Sequence, residues 1–359
     1  MKIIAVVVAL VIIGSATGYV LLSNAKAGEN KGTPTDEYPS SVTITQNDGK
    51  QVTVATPLEK VCLVNGNAAE FMQVLNETDR VVGVSESVAE DTEYGYIYDD
   101  VPTIGTYSTP NGESILALDC HVVIGQCTAM AIKDTAVLED MGITVILLDC
   151  YGLNQQTDDL RQLASLFGYE AQERAEKYID MYTETVAAVA QAGSVIGTDA
   201  KAYMELSNGK AYTSKAEMTS LIDLAGGYNI LIDLVTNPTS STQLLSNEAL
   251  IAYDGGKGPD YIMVRQGGIT DDATAEQEYQ TLVSREGWAD LEAVKNNNVF
   301  IITQSGILSG PRMFIGLVYL FEMFHPGVLD MTAGELLDEY NQSFGYDIDA
   351  MMGYHHVTA

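Results

Sequence analysis

Two short stretches of this chain carry the same chemistry in the same order. Residues 109–125 read TPNGESILALDCHVVIG and residues 246–264 read SNEALIAYDGGKGPDYIMV. In each, an asparagine (Asn111 or Asn247) leads a glutamate (Glu113 or Glu248), then an apolar helical run ending in aspartate, then a buried strand. A carboxylate in the first turn of a helix meets the partial positive charge of unpaired N–H groups, worth ~0.3–1 kcal/mol. That capping role explains either glutamate alone. Two carboxylates a lobe's width apart also suit a two-fold partner with a basic pocket in each half, and on the pattern alone capping and docking both stand.

Other reactive side chains are harder to assemble into a centre. The four histidines, His121, His325, His355 and His356, include one in a strand and two in the C-terminal tail. They make no three- or four-ligand set for a bare metal ion. Cys62, Cys120, Cys127 and Cys150 contain no C-x-x-C pair. Cys127 and Cys150 each follow an apolar strand pattern (HVVIGQC, TVILLDC), so a disulfide between them and a pair of buried thiols both fit. The sequence holds no G-x-G-x-x-G, no P-loop, no G-x-S-x-G elbow and no H-E-x-x-H. The glycine-rich DGGKG at 254–258 runs into Pro259 and a strand, without the helix N-terminus that would take a phosphate. With none of these motifs present, neither catalysis nor a resident cofactor is expected.

Charge narrows the partners. The 359 residues include 49 Asp plus Glu against 18 Lys plus Arg, a formal charge of -31, which repels nucleic acid. Hydrophobic residues make up 46% of the chain, so the acid belongs on the surface of a folded protein.

The elements that must position these residues follow from periodicity. Residues 3–22 are an uncharged run of 20, long enough to cross the ~30 Å hydrocarbon core. Ala25-Lys26-Ala27 offers a cleavage pattern, so residues 1–24 fit a signal peptide and a retained membrane anchor alike. Either places the rest of the chain outside the cytoplasm. The polar segment 25–41 reads as a tether. SVTITQNDGKQVTV alternates around Asn47-Asp48-Gly49-Lys50 as a hairpin. Apolar strands then alternate with helices through residue 168, the pattern of a parallel sheet with helical crossovers. Residues 171–192 keep apolar side chains at helical spacing over a length that can bridge two lobes. Alternation resumes to residue 345, with a helix opened by Gly310-Pro311-Arg312 and a capping box at Thr332 and Glu335.

Six segments together resemble a known family: LEKVCLVNGNAAEFMQVLNETDRVVGVSES, IGTYSTPNGESILALDCHVVIG, AGGYNI, LSNEALIAYDGGKGPDYIMV, GWADLEAVKNNNVFIIT and SGPRMFIGLVYLFEMFHP. In this order they look like the iron-siderophore and cobalamin substrate-binding proteins of ABC importers, over about residues 42–345. The resemblance implies an α/β protein of class III periplasmic-binding type. Two Rossmann-like lobes, 42–168 and 196–345, would be joined by a rigid helix at 169–195, with a tail at 346–359. It implies one ligand between the lobes, an ABC permease with its ATPase subunits as partner, and Glu113 and Glu248 as the residues that engage arginines of that permease. Ferric siderophore, corrinoid and haem are the expected ligand classes, in that order. A tethered receptor that senses or sequesters a haem or metal chelate without delivering it is the alternative.

Ligands of open α/β sheets bind beyond the carboxyl ends of the strands. Asn65, Gln126 and Tyr151 stand at such ends in the first half, and Tyr212, Gln266 and Gln304 in the second. Tyr107 matches a position where the family presents an aromatic side chain, and Tyr96 belongs to a loop crowded with tyrosines. Arg312 suits either an anionic ligand group or the capping of neighbouring loops. The candidate ligand contacts are thus Asn65, Tyr96, Tyr107, Tyr212, Gln304 and Arg312.

Overall fold

The computed structural model describes residues 37–128, 131–197, 200–266, 271–303, 310–348 and 353–355. The apolar run at 3–22, Gln304 and His356 lie outside them. Among the described residues no helix is long and apolar enough to cross a membrane.

The chain enters through the expected hairpin, β1 (Ser41–Thr45) against β2 (Gln51–Ala55), antiparallel. Then β3 (Val61–Leu63) leads into α1 (Gly66–Leu75). Asn65, in extended conformation, caps α1 by accepting from Asn67 N, and left-handed Asn76 ends it. Ala68, Phe71, Met72 and Leu75 are buried along one stripe of α1, as 3.6-residue periodicity requires. β4 (Val81–Val84) and α2 (Glu86–Ala89) follow. A two-residue ribbon, β5 (Gly105–Thr106) with β6 (Thr109–Pro110), delivers the chain to α3 (Gly112–Ala117) and β7 (Val122–Gly125). α4 (Thr135–Asp140), β8 (Thr144–Leu147) and α5 (Gln156–Ala164) complete this half. Its sheet has the order β4-β3-β7-β8, parallel throughout.

α6 (Tyr169–Ile196) runs 28 residues, about 42 Å at 1.5 Å each. It matches the expected linking helix within a residue at its far end. Ala171, Ala175, Tyr178, Ile179, Tyr182 and Val189 form its buried face.

The second half begins with β9 (Ala200–Leu206) and β10 (Lys210–Tyr212), then α7 (Glu217–Leu224), β11 (Gly227–Asn229), α8 (Leu231–Leu234) and β12 (Thr242–Leu244). Next come α9 (Asn247–Gly256), β13 (Tyr261–Gln266), α10 (Asp272–Val283), α11 (Glu292–Lys295) and β14 (Val299–Thr303). α12 (Met313–Phe324) and the box-capped α13 (Ala333–Phe344) precede β15 (Gly353–His355). The sheet order is β12-β10-β9-β13-β14-β15, with β11 also paired to β9. β9, β11, β13 and β14 are parallel, and β10, β12 and β15 run against their neighbours.

Of the segment expected to be a tail, 346–359, the described residues 346–348 and 353–355 are part of the fold. Tyr346 and Ile348 are buried, and His355 lies on β15, paired with Phe300 of β14. Tyr346 and Ile348, just after Gly345, supply enough apolar area to dock.

One core cluster runs from Ile44 to Ile348, through α1, the buried face of α6, α12 and α13. Separate clusters cover the opposite face of each sheet. Along β9 the division alternates residue by residue: Ala202 and Met204 face the shared core, Tyr203 the other side.

Candidate functional site

The parallel strands of both sheets send their carboxyl ends toward the junction of the two halves. On the first-half side, Asn65 uses both amide hydrogens on Leu148 O (2.6 Å) and Asp149 O (3.2 Å). Its Oδ1 accepts from Asn67 N (2.9 Å) and Gln126 Nε2 (3.1 Å). An amide side chain has two donors and two acceptor lone pairs, so Asn65 is fully occupied in tying the ends of β3, β7 and β8 together. It shapes the wall and has no group left for a ligand, unlike its expected role.

Tyr151, just beyond β8, faces the second half. Burial pushes its hydroxyl up to about 12, with nearby Glu217 adding to the effect and Arg265 opposing it. Tyr212, at the end of β10, accepts from Arg265 Nη1 at 2.7 Å, and Arg265 stands near the end of β13. Glu217, in the first turn of α7, accepts from Leu153 N at 2.8 Å, while Tyr182 of α6 donates to Leu153 O at 2.5 Å. Two phenols, a guanidinium and a carboxylate therefore converge where the halves meet. Such a group can grip a large ligand by ring faces and satisfy one or two polar substituents.

The other expected contacts fall elsewhere. Arg312 is fully buried, with Nε 2.7 Å from Glu70 Oε1 and Nη1 paired to Glu93. Burial works against its charge, yet Glu70 and Glu93 hold the guanidinium well above its usual range. Tyr340 also donates to Glu70, at 3.2 Å. Arg312 thus joins the second half to α1 and to the loop after α2, the structural side of its expected alternatives. Gly310, at φ +63°, permits this approach, because a Cβ there would stand 2.6 Å from Asn67 Oδ1. Tyr96 is exposed and accepts from Asp347 N at 3.3 Å. Tyr107 is half-buried in the turn of the β5-β6 ribbon. Of the six expected contacts, only Tyr212 joins the convergent cluster among the described residues.

Sequence reasoning missed Arg265 and Glu217. Arg265 follows the apolar run YIMV directly, and a polar residue at the carboxyl end of a parallel strand was a signal in view. Glu217 sits in an ordinary first helical turn, where a carboxylate needs no second reason.

Glu113 and Glu248 occupy the same place in their helices, second in α3 and second in α9. Both are exposed. The leading asparagines differ: Asn111 caps α3, whereas Ser246 caps α9 and Asn247 holds Glu286 O and the Trp288 indole. Among the described residues no cluster of histidine, cysteine and carboxylate could hold a metal ion. The four cysteines are free thiols.

Residues 61–305 match the pattern of the family described as periplasmic binding protein. The chain belongs to that family. A cobalamin-binding protein of Halobacterium salinarum is 29% identical over 252 residues, covering 66% of this chain and 62% of that protein. An uncharacterized ABC transporter substrate-binding lipoprotein of Bacillus subtilis, YvrC, is 23% identical over 301 residues, 81% of this chain and 87% of that one. Among solved structures, the TroA-like periplasmic binding protein FepB of Veillonella parvula superposes with a TM-score of 0.72 at 19% identity, covering 88% of this chain and 100% of its own. A periplasmic heme-binding protein of Pseudomonas aeruginosa does so at 0.59 and 19%, covering 76% and 98%. These likenesses establish the class III fold. Periplasmic binding proteins are carriers rather than enzymes, and they work outside the cytoplasm.

Proposed function

We propose that this periplasmic binding protein is the solute-binding component of an ABC importer, holding a metal chelate of the siderophore or corrinoid class between its halves and delivering it to a permease. The observation that carries the reading is the convergence of Tyr151, Tyr212 and Arg265, at or just beyond strand ends, with Glu217 of α7. Ring faces suit a broad ligand with apolar edges, and Arg265 suits one carboxylate or phosphate on it. The surplus of acid elsewhere disfavours a polyanion. The halobacterial cobalamin-binding relative supports a corrinoid, and the heme-binding structural neighbour supports a flat tetrapyrrole more generally. Glu113 and Glu248 are the docking residues, each an exposed carboxylate on a corresponding corner.

The test is direct. Full-length protein is incubated separately with ferric siderophores, cobalamin and haemin, freed of excess by gel filtration, and its visible spectrum recorded. A stoichiometric retained chromophore names the ligand class. Retention of none of them rejects this chelate reading.

A further inference from the structure

The cleft and the docking corners use none of the cysteines, and two of them meet. Cys62 is the middle residue of β3, between β4 and β7, and is completely buried. Strand alternation sends Val61 and Leu63 to the shared core and Cys62 to the opposite face. There a Cβ on Gly83 would stand only 2.9 Å from Cys62 Sγ and 2.9 Å from Leu118, so the thiol is packed under the end of α3. Cys120 follows that helix. Its N–H donates to Ile115 O (3.4 Å) and its thiol to Val122 O (3.3 Å), and it too is completely buried. Both sulfurs lie in one apolar cluster with Ile104, Ile115 and Leu138. Each thiol acts on the other there, raising Cys62 and lowering Cys120. Cys150, by contrast, belongs to the shared core, and Cys127 is half-buried in a loop.

We propose that Cys62 and Cys120 are the site of an intrachain disulfide that pins the end of α3 to the centre of the first sheet. The oxidant is a disulfide, either a low-molecular-weight one or the oxidised pair of a thiol-disulfide oxidoreductase. Cys120 thiolate attacks one sulfur of that oxidant, releasing one thiol and leaving a mixed disulfide. Cys62 then loses its proton and attacks Cys120 Sγ, forming the Cys62–Cys120 bond and expelling the second thiol. The two cysteines lose two electrons and two protons, and both pass to the oxidant. Buried sulfurs react during folding or through local opening. The proposal relies on the extracytoplasmic reading for its oxidising surroundings and on nothing about the ligand. The brace lies directly beneath the helix that carries Glu113.

Reduced full-length protein is incubated with oxidised glutathione, unfolded in excess iodoacetamide, digested and analysed by mass spectrometry. The expected result is one peptide pair joined through Cys62 and Cys120, with only Cys127 and Cys150 alkylated. Alkylation of all four, or a joined pair containing Cys127 or Cys150, overturns the proposal. Melting gives a second readout: wild-type Tm falls on adding reductant, whereas Cys120→Ser has one Tm with or without it. A variant as sensitive to reductant as the wild type overturns it as well. Neither measurement depends on ligand retention, so the importer reading and this one fail separately.

Discussion

Arg312 was recognisable in the sequence as a residue with chemistry to do, but its task depends on Glu70, 242 positions earlier. No local pattern announces such a partner. A buried guanidinium between two carboxylates exchanges hydration for Coulombic contact, and removing it strands both acids. Arg312→Met should therefore cost ~3–5 kcal/mol in urea unfolding. Arg312→Lys should recover little, since an ammonium cannot span Glu70 and Glu93 as the fork does. An unchanged midpoint for Arg312→Met would mean the pair contributes nothing to folding. The phenols report on burial in another way. Burial, above all, pushes Tyr151 and Tyr182 up to about 12, against about 10 in an unfolded chain. Their protonated forms favour the folded state, so this stability is complete below pH ~10 and is lost as pH rises through ~12. Absorbance of phenolate should show these two titrating late, with alkaline unfolding setting in across that window. At the cleft, Tyr212→Phe removes the hydroxyl that accepts from Arg265. It should weaken ligand binding by ~1 kcal/mol, roughly fivefold, in a fluorescence or spectral titration.

At the scale of elements, α3 and α9 separate capping from docking. Each glutamate sits second in its helix, where macrodipole complementation operates, so reversal in Glu113→Lys or Glu248→Lys should cost ~0.5–1 kcal/mol of stability under either reading. Docking alone predicts more. Both single variants should retain ligand with unchanged affinity yet slow its uptake into cells or permease-containing vesicles, and the double variant should abolish it. Full uptake by the double variant would leave capping as the whole explanation and favour a receptor that does not deliver. The duplication itself was readable because a glutamate, an apolar run and a following strand are all local. The unequal asparagines were not readable, because Asn247 answers to Trp288 across 41 positions rather than to its own helix. The last strand was missed for the same reason: β15 exists through its pairing with β14, whereas its own sequence reads as a chain end.

For the whole molecule, the order of strands and helices and the bridging role of α6 follow from periodicity, but the continuity of the core does not. Hydrophobic spacing says which face of a helix is buried, not that α12 and α13 bury theirs against α1 of the first half and the linking helix α6. Because they do, the two halves share one apolar cluster, reinforced by Arg312 with Glu70 and Glu93 and by Glu217 with the Leu153 amide. Opening wide would expose part of that cluster to water, at a cost of about 25 cal/mol for each Å² of apolar surface. Ligand binding should then be accompanied by small adjustments at the mouth, where Glu217 and Tyr151 meet, and not by a hinge swing. Small-angle scattering of free and loaded protein should give the same radius of gyration within error. Hydrogen exchange should slow on loading at the Leu153 amide while α1 and the start of α12 stay equally protected in both states. A clear compaction of the wild type on loading would refute a shared, rigid core. If compaction instead emerged only in Arg312→Met, the stiffness would be traced to the buried ion pair rather than to the linking helix.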